Sequence, residues 1–245
     1  MGQLRDRMEA DLKIGGYSPL TRKTYLFWAR KFAAYFMRSP AELGADEVRQ
    51  FLLHLVDERK VSSQTIRQVR SSLRFLYCVT LDRPVAIEWL PVPRREERLP
   101  VVLSGTQVSA LLDAVRSPKY RTIFMVMYAA GLRISEACRL CSEDIDSKRG
   151  IIRVSGKGGK QRYTLLSERL LEHLRSYWRH VRPLNSWFFP GCTKDGHVSR
   201  ASARRVFHQA ASAAGIAKDV APHSLRHSFA TPLNDTGTDL TVDNA

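Results

Sequence analysis

Apolar residues in the first ninety positions recur every three or four residues, the spacing that keeps one face of an α-helix apolar. This pattern predicts four helices in this part of the chain. Three have clear starting points: residues 18–19, where serine precedes proline; the region near residue 45; and a serine cap at Ser62 or Ser63. Their apolar faces carry Tyr25, Trp28, Phe32 and Tyr35, then Val48, Phe51, Leu52 and Leu55, then Ile66, Val69, Leu73, Leu76 and Tyr77.

After residue 100 the pattern changes to helices mixed with short strands. Residues 151–154 and 162–166 are short apolar or alternating runs, and they flank the segment GKGGK at 156–160. This arrangement predicts a β-hairpin with a flexible, basic tip. We predict helices from Ser104, around residues 120–130, at about 167–181, at about 199–214 and from near Pro222.

A linker separates the two patterns. Residues 90–100 (LPVPRREERLP) combine three prolines with a run of charged side chains, a composition that suits neither a helix interior nor a central strand. We therefore expect a helical domain over residues 1–90, a linker over 91–100 and a mixed domain over 101–245. The predicted fold class is mainly α with a small antiparallel β-sheet, an α+β chain of two domains.

The net charge points to a polyanionic partner. The 245 residues include 39 Lys and Arg against 24 Asp and Glu, a net charge of +15. Both parts are positive. Residues 1–100 contain 18 basic and 12 acidic residues, and residues 101–245 contain 21 basic and 12 acidic residues. Such an excess attracts polyanions, of which nucleic acid is the commonest. Charge alone leaves open a basic protein without such a partner.

Basic side chains lie between the apolar rows on at least two helices of the first domain. Their repetition favours a surface that contacts phosphates, although a solvated helix face is the alternative. The residues expected to bind DNA here are Arg22, Lys23, Arg67, Arg70 and Arg74.

The sequence shows no targeting or membrane-spanning segment. Its start is charged from Arg5 onward, and its longest apolar run, residues 123–132, is too short to cross a bilayer. Four cysteines are too few for a disulfide scaffold of this size. The pair Cys138 and Cys141 lacks a second ligand pair for zinc, so we interpret both as ordinary thiols. We expect a reducing, cytoplasmic location.

The last predicted helix has a polar face whose side chains could bind a phosphate and transfer protons. His223, Arg226 and His227 are three or four residues apart and share that face, whereas Leu225 and Phe229 point into the core. An arginine fork suits the oxygens of a phosphate, and histidine transfers protons near neutral pH. The alternative is a surface helix with chance histidines.

Further basic candidates lie at a turn and at the hairpin tip. Arg133 follows Gly131 at a predicted helix start, where backbone N–H groups also favour an anion. Lys157 lies between glycines at the tip, where a mobile lysine can protonate a leaving oxygen or contact bases, and Lys160 adds a second charge toward DNA. A solvated arginine and a flexible basic turn are the alternatives. The tip lacks the spacing of a nucleotide-binding P-loop.

Two arginines, one lysine and one histidine are what metal-free attack on a phosphodiester needs. The segments GLRISE at 131–136, GKG at 156–158 and HSLRHSFAT at 223–231 resemble, in order, the motifs of the tyrosine recombinase family in its Xer and phage-integrase branch. The first domain is similar as well, through Ser18, Thr21, Tyr25, Phe32, Thr65, Ile66, Arg70, Leu73, Phe75 and Tyr77.

This resemblance implies a function. A SAM-like core-binding domain and a catalytic domain would form a clamp around double-stranded DNA, and intact relatives would assemble on it as tetramers. Arg133 and Arg226 would hold the scissile phosphate, Lys157 would be the general acid, and His223 would assist proton transfer. The family uses no metal and no nucleotide cofactor. It conserves the energy of the broken bond in a 3′-phosphotyrosyl link.

The resemblance weakens near the end of the chain. The family places its nucleophilic tyrosine beyond the His-x-x-Arg helix, whereas no tyrosine follows Tyr177 in this sequence, which ends at Ala245. Pro232 stands where the family has an unbroken helix, and we expect it to disrupt the turn before it. We therefore expect a C-terminally truncated or frame-shifted recombinase that binds DNA, does not cleave it alone and assembles weakly.

Two other functions remain open. One is an active recombinase whose nucleophile comes from a partner subunit. The other is a metal-dependent nuclease, with Asp146-x-Lys148 as its metal site. Acidic residues in a turn are usually solvated, and the integrase motifs leave the nuclease no role.

Overall fold

The computed structural model describes residues 2–84, 101–156, 161–183, 186–193, 196–216 and 219–235. The chain divides into two compact units, Met1–Arg98 and Leu99–Ala245, and each has its own hydrophobic core. The linker expected at residues 91–100 lies outside the described residues, so the domain limits stay a prediction. Among the helices that are described, none combines the length and the apolar character needed to cross a membrane.

The amino-terminal unit is helical, as the apolar spacing predicted. Ser18 Oγ accepts the Thr21 N–H at 3.2 Å and Ser62 Oγ accepts the Thr65 N–H at 3.3 Å, so serine caps fix the starts of two helices. The described part of this unit contains α1 (Gly2–Ile14), α2 (Pro19–Phe36), α3 (Ala45–Asp57) and α4 (Ser63–Phe75), and α4 continues into a π-helical turn (Leu76–Thr80).

Aromatic side chains fill the core of this unit. The Phe32 ring packs edge-on against Phe51 at 5.4 Å and against Tyr77 at 6.2 Å between ring centroids. The Tyr77 hydroxyl donates to the carbonyls of Pro40 and Leu43, at 3.1 and 3.2 Å. Tyr77 therefore ties the end of α4 to the segment between α2 and α3.

The carboxyl-terminal unit mixes helices with one small sheet, which confirms the predicted fold class. Its sheet has three antiparallel strands in the order β1 (Ile145–Asp146), β2 (Ile151–Ser155) and β3 (Gln161–Leu165). Its helices are α5 (Gly105–Ala114), α6 (Pro118–Ala129), α7 (Ile134–Ala137), α8 (Glu168–Val181), α9 (Arg200–Ala213) and α10 (Pro222–Asp235).

The predicted hairpin is confirmed as β2 and β3. Their register pairs Val154 with Arg162 and Ile152 with Thr164. Ile152 and Val154 are buried on the core face of β2, so the alternation seen in the sequence reflects one covered and one open face. The sequence did not predict β1, because its two residues are too few to show any alternation.

Side-chain hydrogen bonds hold α10 and β3 against the core. Ser228 Oγ accepts the Leu103 N–H at 2.8 Å and donates to the Ser224 carbonyl, which ties α10 to the start of the unit. Thr164 Oγ1 donates to the Ala130 carbonyl at 2.8 Å, which ties β3 to the end of α6. α10 runs on past Pro232 to Asp235, so the proline does not end the helix. Proline keeps a helix-compatible φ and can bend a helix without ending it.

Candidate active site

The buried carboxylate of Glu136 lies at the centre of the candidate site. Its side chain is only 3% exposed. Oε1 accepts hydrogen bonds from Arg133 Nη1 at 2.9 Å and from Arg162 Nη1 at 3.0 Å. Oε2 accepts the Arg133 backbone N–H at 2.7 Å and Arg162 Nη2 at 2.9 Å. Arginines from two separate segments of the chain thus converge on one carboxylate.

Arg226 joins this group from α10. Its Nη1 donates to the carbonyl of Gly131 and lies 4.0 Å from Oε2 of Glu136, beyond hydrogen-bond distance. The side chains of Arg133 and Arg226 remain 50% and 30% exposed, so both can reach a ligand from solvent. The two arginines predicted to hold a phosphate are therefore brought together.

The turn at Gly131 makes this convergence possible. Gly131 has φ +60°, and a Cβ at this position would lie 2.8 Å from the Phe229 ring. This left-handed residue ends α6 and directs the chain into Arg133, which caps α7. The Arg133 N–H at this helix start does bind an anion, but that anion is the carboxylate of Glu136 in the same chain. Phosphate binding at this helix start stays a prediction.

The electrostatics of the site favour a bound anion. Burial raises the pKa of Glu136, but hydrogen bonds from Arg162 and from the backbone and side chain of Arg133 outweigh it and hold the pKa at about 2. The carboxylate is therefore charged throughout the physiological range. Three guanidinium groups against one carboxylate leave a net charge of +2.

The histidines lie beside these charges on the same face of α10. The rings of His223 and His227 are 5.5 Å apart, and His223 is exposed whereas Leu225 is fully buried. The predicted core position is therefore confirmed for Leu225, whereas Phe229 is half-buried and its ring lies against Gly131. Burial, and then the neighbouring His227, Arg226 and Arg133, lower the pKa of His223. A neutral imidazole at pH 7 can accept a proton from a nucleophile or donate a hydrogen bond.

The other predicted site residues fall elsewhere or cannot be placed. Lys157 and Lys160 lie outside the described residues. In the amino-terminal unit Lys23 and Arg74 are exposed. Arg22, Arg67 and Arg70 are half-buried, and they lie on the same two helices. All five residues lie on α2 or α4, and their predicted role in DNA binding stays a prediction.

Sequence reasoning missed Arg162 and Glu136. Glu136 stood inside the quoted segment at 131–136, but only its burial shows that it organises the arginines. Arg162 lies between exposed Gln161 and Tyr163 on β3, so its side chain lies on the opposite face of the strand. This alternation is the sequence feature that could have indicated a role for Arg162. Its pairing with Val154 brings that face toward the core.

The acidic residues of the alternative nuclease site serve the backbone. Asp146 Oδ1 accepts the N–H groups of Lys148 and Arg149, at 3.0 and 2.9 Å, which is a side-chain-stabilised turn. Asp144 accepts from the Cys141 N–H and from Arg153 Nε. The described residues contain no group of three or more metal-ligating side chains. Nothing in this segment favours the nuclease interpretation.

All four cysteines are free thiols. Cys138 is buried at the end of α7, and burial raises its pKa to about 11. Burial, followed by the adjacent Asp144 and Glu143, also raises the pKa of Cys141. Neither thiol is activated as a nucleophile.

Known proteins share this combination of domains. The phage integrase family matches residues 101–242, and the N-terminal SAM-like domain of phage integrases matches residues 4–87. The Sinorhizobium fredii protein y4qK, named as a putative integrase/recombinase, is 40% identical over 242 residues, which are 98% of this chain and 78% of that protein. Tyrosine recombinase XerC of Syntrophus aciditrophicus is 31% identical over 249 residues, 90% and 80% of the two chains. The chain belongs to the phage integrase family of tyrosine recombinases.

Solved structures show the same fold. XerH recombinase bound to its difH substrate aligns with a TM-score of 0.75 at 20% identity, over 96% of this chain and 76% of that one. A lambda integrase tetramer bound to a Holliday junction aligns with a TM-score of 0.78 at 18% identity, over 97% and 74%. A lambda integrase dimer bound to a COC′ core site aligns with a TM-score of 0.75 at 16% identity, over 96% and 90%.

Proposed function

We propose that this chain binds double-stranded DNA as a tyrosine recombinase and holds one backbone phosphate on Arg133 and Arg226. The observation that carries the proposal is the pair of part-exposed guanidinium groups that lie beside one buried carboxylate, next to a histidine whose pKa is lowered. Guanidinium forks match the non-bridging oxygens of a phosphodiester, and they stabilise the charge that develops during strand exchange.

The remaining roles follow the order of the motifs. His223 would exchange a proton with the attacking or leaving oxygen, and Lys157 would be the general acid. His227 and Lys160 would contact DNA next to the phosphate. No metal ion and no nucleotide cofactor are needed for this chemistry, because the charges come from side chains.

A basic surface on the other unit supports the same partner. Residues 1–90 would be the core-binding domain and residues 101–245 the catalytic domain. The positive side chains on α2 and α4 suit successive phosphates of a duplex. The residues proposed for this contact are Arg22, Lys23, Arg67, Arg70 and Arg74.

We propose further that the 245-residue polypeptide orients the phosphate but does not form the phosphotyrosyl bond. No tyrosine follows Tyr177. Tyr177 itself is 4% exposed, and burial raises its pKa to about 12, so its hydroxyl is a poor nucleophile where it lies. Solved relatives include a dimer and a tetramer on DNA. We propose that this chain self-associates on DNA as well, but weakly.

The test combines binding with covalent capture. A fluorescein-labelled mixed-sequence duplex is titrated with the protein at several KCl concentrations. The affinity should fall steeply with salt, and Arg226→Gln should lower the slope of log K against log salt by about one phosphate contact. An unchanged slope in Arg226→Gln would remove Arg226 from the phosphate site. A covalent protein–DNA band on a denaturing gel would contradict the absence of cleavage while supporting the recombinase assignment.

A further inference from the structure

Arg162 makes the most complete ion pair of the site. Both of its terminal nitrogens bond the two oxygens of Glu136, at 3.0 and 2.9 Å. Arginine and carboxylate pairs of this two-bond geometry are stronger and more directional than single contacts. The Arg162 side chain is 34% exposed, whereas the carboxylate it covers is 3% exposed. The motif residues predicted from the sequence give Arg162 no role.

All hydrogen-bond acceptor positions of the Glu136 carboxylate are occupied. Each carboxylate oxygen accepts one bond from Arg162 and one from Arg133, which fills the four acceptor positions of an ionised carboxylate. Arg226 stays 4.0 Å from Oε2 and donates to the Gly131 carbonyl instead. Arg226 therefore lies near a carboxylate that has no acceptor position left for it.

We propose that Arg162 is a positioning residue that keeps Arg226 available to a bound phosphate by saturating Glu136. The proposal rests on the proposed function, because it assumes that Arg226 binds a phosphate. Without Arg162, two acceptor positions on Glu136 would open beside Arg226. Arg226 would then turn onto the carboxylate, and a phosphate would have to compete with a buried internal anion for it.

Charge and position both follow from the same contact. Removal of Arg162 lowers the net charge of the group from +2 to +1, because three guanidinium groups become two against one carboxylate. Arg162 also ties β3 to α7, since its partner in the sheet is Val154 on β2 and its partner at the site is Glu136. The alternative is that Arg162 touches the phosphate itself.

The test uses inorganic phosphate as the probe, with NMR of the Nε–H groups of Arg133 and Arg226 as the readout. Arg162→Lys keeps the charge but lacks the planar fork that makes two parallel bonds to a carboxylate. It should weaken phosphate binding roughly tenfold, the size expected when a charge-assisted contact is lost. Arg139→Lys is the matched control, because Arg139 is exposed nearby and donates to the Ser135 carbonyl. It should bind phosphate like the wild type.

A double variant separates positioning from direct contact. Arg162→Gln should weaken binding, and adding Glu136→Gln should recover most of the loss, because it removes the competing carboxylate and returns the net charge to +2. Glu136→Gln alone is the reference, because removing its negative charge strengthens phosphate binding in either case. Positioning predicts that Arg162→Gln costs little once Glu136 is Gln, whereas direct contact predicts the same loss in both backgrounds. The double variant also removes the unpaired buried charge that would destabilise the single one, and thermal unfolding of each variant reports whether it is folded.

The outcomes distinguish this inference from the proposed function. Arg162→Lys binding phosphate as tightly as the wild type, or an Arg162→Gln loss of the same size in both backgrounds, overturns the positioning role while Arg226→Gln still shows a loss. Equal phosphate affinity in the wild type and Arg226→Gln overturns the proposed function itself. Weaker binding by Arg162→Lys, unchanged binding by Arg139→Lys and a smaller Arg162→Gln loss in the Glu136→Gln background together support the positioning role.

Discussion

At the scale of single residues, Glu136 and His223 set the chemistry of the site through their surroundings. Glu136 is buried yet charged, because Arg162 and Arg133 bond both of its oxygens. His223 is held toward its neutral form by burial and by nearby positive groups. One residue therefore supplies a fixed negative charge that orients arginines, and the other supplies a proton acceptor. Both properties are measurable through their pH dependence.

The stability of the carboxyl-terminal unit should depend on pH through Glu136. Its folded pKa of about 2 lies below the ordinary 4.5, so its contribution is present above pH 4.5 and is lost as the pH falls toward 2. The difference corresponds to about 3 kcal/mol in the free energy of unfolding. Urea denaturation at a series of pH values measures it. Glu136→Gln should flatten this part of the profile, and an equal decline in both proteins would show that other groups cause it.

The titration of His223 should respond to Arg226. The pKa of His223 is expected below 6.5, and Arg226→Gln should raise it, because one of the positive groups that opposes protonation is removed. The ring-proton NMR shifts of His223, assigned with His223→Gln, measure both values. Bound DNA should raise the pKa as well, since a phosphate favours the charged imidazolium. If neither Arg226→Gln nor bound DNA shifts the pKa of His223, its ring is not electrostatically coupled to the arginines.

At the scale of elements, long-range contacts bring α10 and the hairpin to the short turn that joins α6 and α7. Gly131 turns the chain between α6 and α7 while its carbonyl receives Arg226 from α10. The Phe229 ring, also on α10, covers the same glycine. Thr164 on β3 bonds the end of α6. The site is thus built from three separate segments that meet around a single turn.

Gly131→Ala should destabilise the protein by about 2–4 kcal/mol. A left-handed alanine costs about 1–2 kcal/mol, and its Cβ would press on the Phe229 ring at 2.8 Å, which adds the cost of overpacking. Gly105→Ala is the matched control, because a methyl group added there, at the start of α5, would meet no atom within 4 Å. Thermal or urea unfolding measures both. A neutral Gly131→Ala would mean that the turn relaxes freely.

At the scale of the whole molecule, two units with separate cores carry the two halves of the proposed function. Aromatic packing and the Tyr77 hydroxyl hold the first unit. The second depends on a core that runs from Leu103 through α6 to α10. Each unit should therefore respond separately to changes in its own core.

Tyr77→Phe should loosen only the amino-terminal unit. It removes a buried hydroxyl that donates to the carbonyls of Pro40 and Leu43 and leaves them without this donor, at a cost of about 1–3 kcal/mol. Amide hydrogen exchange should quicken within residues 2–84 and stay unchanged after residue 101. Ser228→Ala is the reciprocal control, because Ser228 bonds Leu103 in the other unit. Equal acceleration in both units would show that they unfold together.

The sequence by itself determined the helices, the hairpin and the polar face of α10, because each follows from local spacing and capping. The apolar rows on α2, α3 and α4 and the serine caps needed no distant contact. His223 and Arg226 share a face because three residues make nearly one helical turn. The motifs at 131–136 and 223–231 also identified the family. What the local pattern did not show is that the anion at the Arg133 N–H is the carboxylate of Glu136 in the same chain.

Only the tertiary structure decided what the arginines contact. Arg133, Arg162 and Arg226 come from separate segments. No spacing in the sequence shows that Arg133 and Arg162 share the carboxylate of Glu136 while Arg226 lies 4.0 Å from it. Burial turned Glu136 from one charged residue in a motif into the anchor of the site. The same is true of Gly131, whose carbonyl and missing side chain matter because Arg226 and Phe229 reach it from α10. The spacing of residues along a chain determines which side chains share a face of a helix or strand. Side chains from separate segments can share a hydrogen-bond partner only after these elements have packed together.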